Sequence, residues 1–271
     1  MEIKELPSKT NRFRPSALRK RLGTSLFAQN ILYHKTINST NMLAKELAAH
    51  EAPEGTVVLA EEQTEGRGRA NRVWFSPAYE NLYFTIVLRP CVRVDQVFVL
   101  TMVLALAASD AVKKEVGIRP MIKWPNDLYV GKKKMGGILT EFSVREKEVE
   151  YVILGLGLNV NWNPKEDESM LYPATSIFSE TGMKASRSDL LIEILKSYER
   201  YYSNVKAGKI DDIYKRWNEL SMIKGRTVEI HSGREIVRGN VLKIDQNGAL
   251  VIINNDGAEK TIQSGDVSVR F

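Results

Sequence analysis

Three arginines and two glycines fall within seven residues at Gly66-Arg67-Gly68-Arg69-Ala70-Asn71-Arg72, and Trp74 closes the run. Glycine alternating with arginine lets a backbone approach a ligand closely with its N–H groups turned inward. Each guanidinium adds a planar fork of donors suited to phosphate or carboxylate. Alone, the run fits a ligand loop, a solvated turn or an RNA-contacting segment. A second cationic cluster spans Lys123-Trp124-Pro125-Asn126-Asp127 and Lys132-Lys133-Lys134-Met135-Gly136-Gly137. Pro125 sets an extended path at Trp124. Asn126 and Asp127 are expected in a turn. Gly131 is expected to close a tight hairpin that returns through Lys134 into a strand. Lys132 and Lys133 read as an exposed tip, whereas Lys134 stands where it can point inward. Gly136 and Gly137, paired inside a strand, mark a bulge or a ligand lying on the backbone.

Other chemistries lack a signal. His34, His50 and His231 are scattered without metal-ligand spacing, and Cys91 has no base beside it. There is no Gly-x-Ser-x-Gly elbow, no Gly-Lys-Ser/Thr phosphate loop and no dinucleotide fingerprint. Arginines, a lysine and an Asp/Asn pair suit a reaction in which a substrate carboxylate attacks the α-phosphate of a nucleotide. No side-chain nucleophile is then needed. The protein must neutralise two anions and the charge that develops. It must also shield the resulting mixed anhydride from water, a task for a loop that closes over the product.

These residues need a framework. Ile31–Lys35 and Thr56–Ala60 read as strands, and Asn81–Leu88 as a third, rich in aromatic and β-branched residues. Ser39 or Thr40 is placed to cap a helix whose apolar face is Leu43, Ala44, Leu47 and Ala48. Asp95–Val116 reads as one long buried helix stopped by Gly117. Strand-like runs follow at Met121–Lys123, Lys134–Val144 and Val149–Val160, then helices at Asp189–Lys206 and Asp211–Glu219. This order predicts an α+β fold with a mixed or antiparallel sheet. After Lys224 the character changes. Short strands at Thr227–Ile230, Glu235–Ile244, Ala249–Ile253, Glu259–Gln263 and Val267–Phe271 are punctuated by turns at 232–233, 246–248, 255–257 and 264–265, which predicts a small β-barrel. The division expected is a basic extension over 1–30, a catalytic domain over 31–223 and a β domain over 224–271.

The 271 residues carry a net charge of +6, unevenly spread. Lys4, Lys9, Arg12, Arg14, Arg19, Lys20 and Arg21 oppose only Glu2 and Glu5, so the first 21 residues hold +5 and the rest +1. The basic character belongs to a short, partly helical arm, which can touch a polyanion or simply be solvated. One cysteine excludes an internal disulfide and fits a reducing, cytoplasmic setting. The longest apolar run, Val97–Ala108, is too short by itself to span a bilayer, and the opening Met1-Glu2-Ile3-Lys4-Glu5, without an apolar h-region, is not expected to act as a signal peptide.

The motifs together resemble the biotin protein ligases. "GRGRANRVW" at 66–74, with Gln63 before it, resembles their ligand loop, and "KWPNDLYVGKKKMGGILTE" at 123–141 their second signature. "INSTN" at 37–41, "GLGLNVN" at 155–161 and "ATSI" at 174–177 follow the family order, and "GNVLKIDQNGALVI" at 239–252 resembles its C-terminal domain. The resemblance spans about residues 30–271. It implies a catalytic domain like that of class II aminoacyl-tRNA synthetases, followed by a small SH3-like β-barrel. It also implies activation of biotin by ATP and Mg²⁺ to biotinyl-5′-AMP, then transfer to a lysine of a biotin carboxyl carrier domain.

The resemblance also assigns roles. Ser39, Thr40 and Gln63 would hydrogen-bond the ureido ring of biotin, with Asn41 beside them. Arg67, Gly68 and Arg69 would lie in the loop that closes over biotin and the adenylate, with Arg67 gripping phosphate or carboxylate. Lys134 would contact the biotin carboxylate and the α-phosphate. Asp127 and Asn126 would orient the acceptor lysine or a Mg²⁺–ATP contact. Gly136 and Gly137 would wall the channel for the biotin tail. Trp74 would pack on the adenylate, or serve as a core aromatic, and Asn159 would touch the nucleotide. No protein-built metal site is expected. Where relatives often carry glycine, this chain has Asn71, which tolerates a positive φ. Only 38 residues precede Ser39, too few for the winged helix-turn-helix of family repressors, so a monofunctional enzyme without specific DNA binding is expected; the sequence leaves the oligomeric state open, a homodimer among the options. The alternatives are a lipoate or octanoate ligase of the same fold, which the polar Ser39/Thr40/Gln63 set disfavours, and a nucleic-acid-binding protein, which leaves the Lys-Trp-Pro-Asn-Asp hairpin unexplained.

Overall fold

A computed structural model describes residues 12–164, 173–232, 235–254, 256–263 and 265–269. Lys4, Lys9, Glu2 and Glu5 of the basic arm lie outside these residues, as do Gly233, Asn255, Ser264 and the last two residues of the predicted final strand.

The larger unit is built on a seven-stranded sheet. Its strands are β1 (Ile31–His34), β2 (Val57–Ala60), β3 (Leu82–Leu88), β4 (Met121–Lys123), β5 (Asp127–Val130), β6 (Lys133–Arg145) and β7 (Glu148–Leu158). They lie in the order β1-β2-β3-β7-β6-β5-β4. Only β1 and β2 pair in parallel, joined by the crossover helix α2 (Thr40–Ala49); the other pairs are antiparallel. Sequence reading missed β5. It placed Asp127 in a turn, whereas Asp127 opens a strand that pairs with both β4 and β6. A four-residue strand between two tight turns offers too little periodicity to see. The expected bulge is present: Leu128 faces Gly136 and Tyr129 faces Lys134, leaving Met135 extra.

Side chains alternate across the sheet, so each face has its own partner. On one face, Leu82, Phe84, Ile86, Leu154, Leu156 and Leu158 pack in the main core. Covering them are α3 (Phe98–Val116) and α5 (Arg187–Lys206), which pack on each other, flanked by α1 (Pro15–Leu22) and α6 (Asp211–Leu220). α3 starts later than expected, because Val94–Gln96 forms a separate 3-10 turn; Gly117 stops it with φ +79°. Together, Val94–Val116 is long and apolar enough to cross a bilayer by length and composition. Thirteen residues of α3 are buried, against the sheet and α5 among others, which makes it the core helix of this fold. On the opposite face, α2 sets Ala44 and Ala48 against Val58, Val87, Tyr151 and Ile153. A short helix, α4 (Ile177–Thr181), follows β7 and was not foreseen.

Residues 12–30 are not a bare solvated arm. Phe13, Leu18, Leu22 and Phe27 are buried in the main core, while Arg14, Arg19, Lys20 and Arg21 face outward. A periodic apolar face within a basic segment is what allows both.

The smaller unit is a five-stranded antiparallel sheet of β8 (Thr227–Ser232), β9 (Glu235–Ile244), β10 (Leu250–Asn254), β11 (Glu259–Ile262) and β12 (Asp266–Val269), ordered β11-β10-β9-β8-β12. Its β9–β10 turn docks on the larger unit. The Trp124 indole donates to Gly248 O at 2.9 Å, Asn218 Nδ2 donates to Ile244 O, and Ile244 N–H donates to Asn218 Oδ1. Phe98 lies so close to Gly248 that a Cβ there would sit 1.9 Å from its ring.

Candidate active site

A cavity of about 610 Å³ opens on the α2 face of the sheet, beyond the end of that helix. This is the size of a small-molecule site. Strand β7 explains how it arises. Its residues facing α2 are Tyr151 and Ile153, large and buried; its next two on the same face are Gly155 and Gly157. A Cβ on Gly155 would lie 1.9 Å from Asn41 Oδ1, and one on Gly157 would lie 2.4 Å from the Trp74 indole. The floor is therefore bare backbone, with Gly137 of β6 paired beside Gly157.

One end of the cavity is polar and closely tied. Ser39 precedes α2 but makes no capping hydrogen bond; Gln63 supplies it instead. Gln63 Oε1 accepts from Thr40 N–H at 2.9 Å and from Thr40 Oγ1 at 3.1 Å, and Gln63 Nε2 donates to Ser76 Oγ at 3.0 Å. Gln63 therefore has one fixed orientation, with one Nε2 hydrogen left for a ligand. Asn41 lines the same wall, but its amide is engaged by Leu139 O, Glu141 and Thr85, so it braces the wall.

The other end is cationic. Lys134 Nζ lies 2.7 Å from Asp127 Oδ1 and 5.4 Å from the centre of the Trp74 ring. Its backbone is fixed as well: Lys134 N–H donates to Pro173 O and Lys134 O accepts from Thr175 N–H, both at 2.8 Å. Asn126 is locked onto β6, since Ile138 N–H donates to Asn126 O and Asn126 Nδ2 donates to Ile138 O. Residues 66–74 fold back as a small hairpin: Trp74 N–H donates to Gly66 O at 2.9 Å and Gly68 N–H to Arg72 O at 2.7 Å. Its tip, Ala70 and Asn71, holds φ of +53° and +58°, as expected for Asn71 and unforeseen for Ala70. Arg69 Nη1 donates to Asn126 Oδ1 at 3.3 Å, tying the hairpin to the Asp127 turn, while Arg67 is exposed at the mouth. Among the described residues, five cationic side chains (Arg67, Arg69, Arg72, Lys123, Lys134) and one carboxylate, Asp127, line the cavity. Such a wall suits a ligand with several negative charges.

Ser39, Thr40, Asn41, Gln63, Arg67, Gly68, Arg69, Trp74, Asn126, Asp127, Lys134, Gly137 and Asn159 all line this one space. Gly136 is the correction. It faces the opposite side, where a Cβ would meet Gly157 O, Leu158 and Leu128, because neighbours in a strand alternate. Asn159 touches the cavity, yet its Nδ2 donates to Thr175 O and its Oδ1 accepts from Asn81. Sequence reading missed Gly155 and Gly157 as floor, although glycines spaced by two within a strand were a legible sign. Lys123, which opens the second cationic cluster but was given no role, also lines the cavity; Trp162 and Val267, the last from the smaller sheet, were missed, and no local signal marks them.

Comparison with known proteins agrees with this architecture. Residues 33–159 match the Biotin/lipoate A/B protein ligase family and residues 224–270 the Biotin protein ligase C terminal domain. The bifunctional ligase/repressor BirA of Bacillus subtilis is 34% identical over 265 residues, 97% of this chain and 81% of that protein. The biotin–[acetyl-CoA-carboxylase] ligase of Paracoccus denitrificans is 32% identical over 79% of this chain and 90% of its own length. The biotin protein ligase of Aquifex aeolicus, solved in complex with biotin and ATP, superposes with a TM-score of 0.75 at 28% identity, covering 89% of this chain and 99% of its own. The catalytic unit is thus of the biotin/lipoate ligase class. With its matching C-terminal unit, the chain belongs to the biotin protein ligases.

Proposed function

We propose that the protein joins biotin to ATP, forming biotinyl-5′-AMP and pyrophosphate, and then passes the biotinyl group to a lysine of a biotin carboxyl carrier domain. The observation that carries this reading is the pairing, across one glycine floor, of a rigid hydrogen-bonding end with a cationic end. A neutral bicyclic urea suits the first, and a triphosphate beside a carboxylate suits the second. In the first step a biotin carboxylate oxygen attacks the α-phosphate and pyrophosphate leaves. In the second, the acceptor amine attacks the anhydride carbonyl and AMP leaves. Neither step needs a protein nucleophile.

Thr40 and Gln63 hold the ureido ring, with Ser39 beside them. A ligand that offers no acceptor leaves the remaining Gln63 Nε2 hydrogen without a partner, which is costly once the site is closed from water. Lys134 leaves Asp127 to bridge the biotin carboxylate and the α-phosphate, where charge builds up in the transition state. Asp127, thereby freed, orients the acceptor amine. It also fits Mg²⁺: it is the one carboxylate on the wall among the described residues, and Mg²⁺ needs few protein ligands when phosphates supply the rest. When bound, that ion neutralises phosphate charge. Arg67 and Arg69 hold the adenylate under the hairpin, and Trp74 packs against it. The acceptor follows from the relatives named as acting on acetyl-CoA carboxylase. The exposed thiol of Cys91 fits the cytoplasm, where it stays reduced.

Incubation with ATP, Mg²⁺, biotin and a purified carrier domain should add one biotinyl group to the carrier, read by mass. Modification with lipoate and none with biotin would transfer the protein to the lipoate branch of its family.

A further inference from the structure

Behind the cavity runs a buried polar line that joins its two ends. At its centre Arg187, the first residue of α5, is 1% exposed, and Glu61, just after β2, is fully buried. Arg187 Nη1 lies 2.7 Å from Glu61 Oε2 and donates to Asn81 O at 3.0 Å. Glu61 Oε1 accepts from Phe13 N–H at 3.0 Å and from the Tyr33 hydroxyl at 3.1 Å. The Phe13 ring closes over the guanidinium at 4.4 Å. The Glu61 backbone is tied too: its N–H donates to His34 O and its carbonyl accepts from Tyr79 N–H.

From this centre the line runs both ways. Glu61 stands two residues before Gln63, so its placement fixes the chain entering the polar end. Asn81 Oδ1 accepts from Val160 N–H at 2.8 Å, and Asn81 Nδ2 donates to Asn159 Oδ1 at 3.4 Å. Asn159 Nδ2 donates to Thr175 O at 3.0 Å, and Thr175 N–H donates to Lys134 O at 2.8 Å. The line thus ends on the backbone of Lys134.

We propose that the Arg187–Glu61 pair is a positioning element that sets Gln63 and Lys134 relative to each other, and that Phe13 seals it. A buried ion pair gives little net stability over an apolar pair of similar volume, so stability alone does not account for it. What the pair supplies is direction: a forked cation and a two-oxygen anion fix several backbone groups at once. Neither residue lines the cavity, and neither touches a ligand there. The inference rests on the reading of Gln63 as the biotin-ring residue.

The test uses the full chain with Glu61→Gln/Arg187→Met as a double variant and Arg187→Lys as a conservative one. Melting temperature, biotin affinity by calorimetry and the single-turnover rate of biotinyl-AMP formation are measured for each. The double variant removes both charges and is expected to melt near the wild type. It is also expected to bind biotin and form the adenylate each about tenfold to a hundredfold worse, as small displacements of reacting groups do. Arg187→Lys keeps the charge but loses the fork, and is expected to fold normally with both activities reduced severalfold. If the double variant melts early, Arg187→Lys decides alone. A folded variant with wild-type affinity and rate overturns the proposal, and a loss confined to one of the two overturns the linkage between ends. Failure of the wild type to bind biotin would instead overturn the functional reading itself.

Discussion

At one end of the cavity Thr40, Gln63 and Ser76 hold one another at 2.9 to 3.1 Å. At the other, Lys134 pairs with Asp127, the one carboxylate among the described lining residues, and Arg67 stands exposed at the mouth. The first end is held by the protein's own hydrogen bonds, so recognition there would depend on fixed hydrogen-bond geometry. The second is assembled around charge, and on the proposed reading its side chains would exchange protein partners for ligand partners, as Lys134 would with Asp127. Hydrogen bonds to a neutral ring discriminate by direction. Cations facing phosphates act over longer distances and respond to salt. One ligand lying across both ends would be selected at the first and activated at the second.

The comparison breaks most sharply at Lys134. Lys134→Ala should slow adenylate formation about 10²- to 10³-fold, as loss of a transition-state charge partner does, while biotin affinity by calorimetry, losing only the carboxylate contact, should fall far less. A comparable loss of biotin affinity would mean the two ends are not separate. Gln63→Ala tests the converse. Stranding the Thr40 donors costs about 1–3 kcal/mol, so biotin affinity should fall roughly tenfold to a hundredfold with little change in the KM for ATP. An Arg67→Ala enzyme should still form biotinyl-AMP but release it severalfold faster, scored as labelling of bystander lysines; abolished formation without release would remove its retention role. Raising salt from 0.1 to 1 M shortens the screening length from about 10 to about 3 Å, so the KM for ATP should rise while biotin affinity barely moves. The smallest effect concerns Tyr33 behind the polar end. Burial, with the Glu61 carboxylate beside it, pushes its phenol up to about 12 from the ordinary 10. The folded state thus holds that proton more tightly, and the associated stability is intact below pH 10 and declines as pH rises from 10 towards 12. Tyr33→Phe should remove that part of the alkaline loss in thermal melts.

How legible this was depended on the physical range of each signal. Helices α2 and α5 carry periodic apolar faces, α3 is a long apolar run stopped by Gly117, and the five C-terminal strands are marked by Gly and Asn turns, so both units were readable. β5 was not, because four residues between two turns leave no period. The cationic residues announced themselves by type. The floor did not: Gly155 and Gly157 stand in a motif already singled out, yet their meaning required knowing that Asn41 and Trp74 lie on top of them. Gly136 looked equivalent to Gly137 until strand alternation placed it on the other face.

Composition, motif order and turn chemistry by themselves determined an α+β body, a small β unit and a set of arginines and a lysine suited to chemistry without a nucleophile, because these are properties of local residue types. The tertiary structure alone decided which of those residues share a cavity, that Gln63 rather than Ser39 satisfies the start of α2, that Val267 of the smaller sheet reaches the site, and that Phe13 covers a buried Arg187–Glu61 pair. Each of those facts joins residues distant in sequence. Such contacts arise only when burial forces polar groups to find partners wherever the fold has brought one within hydrogen-bonding distance.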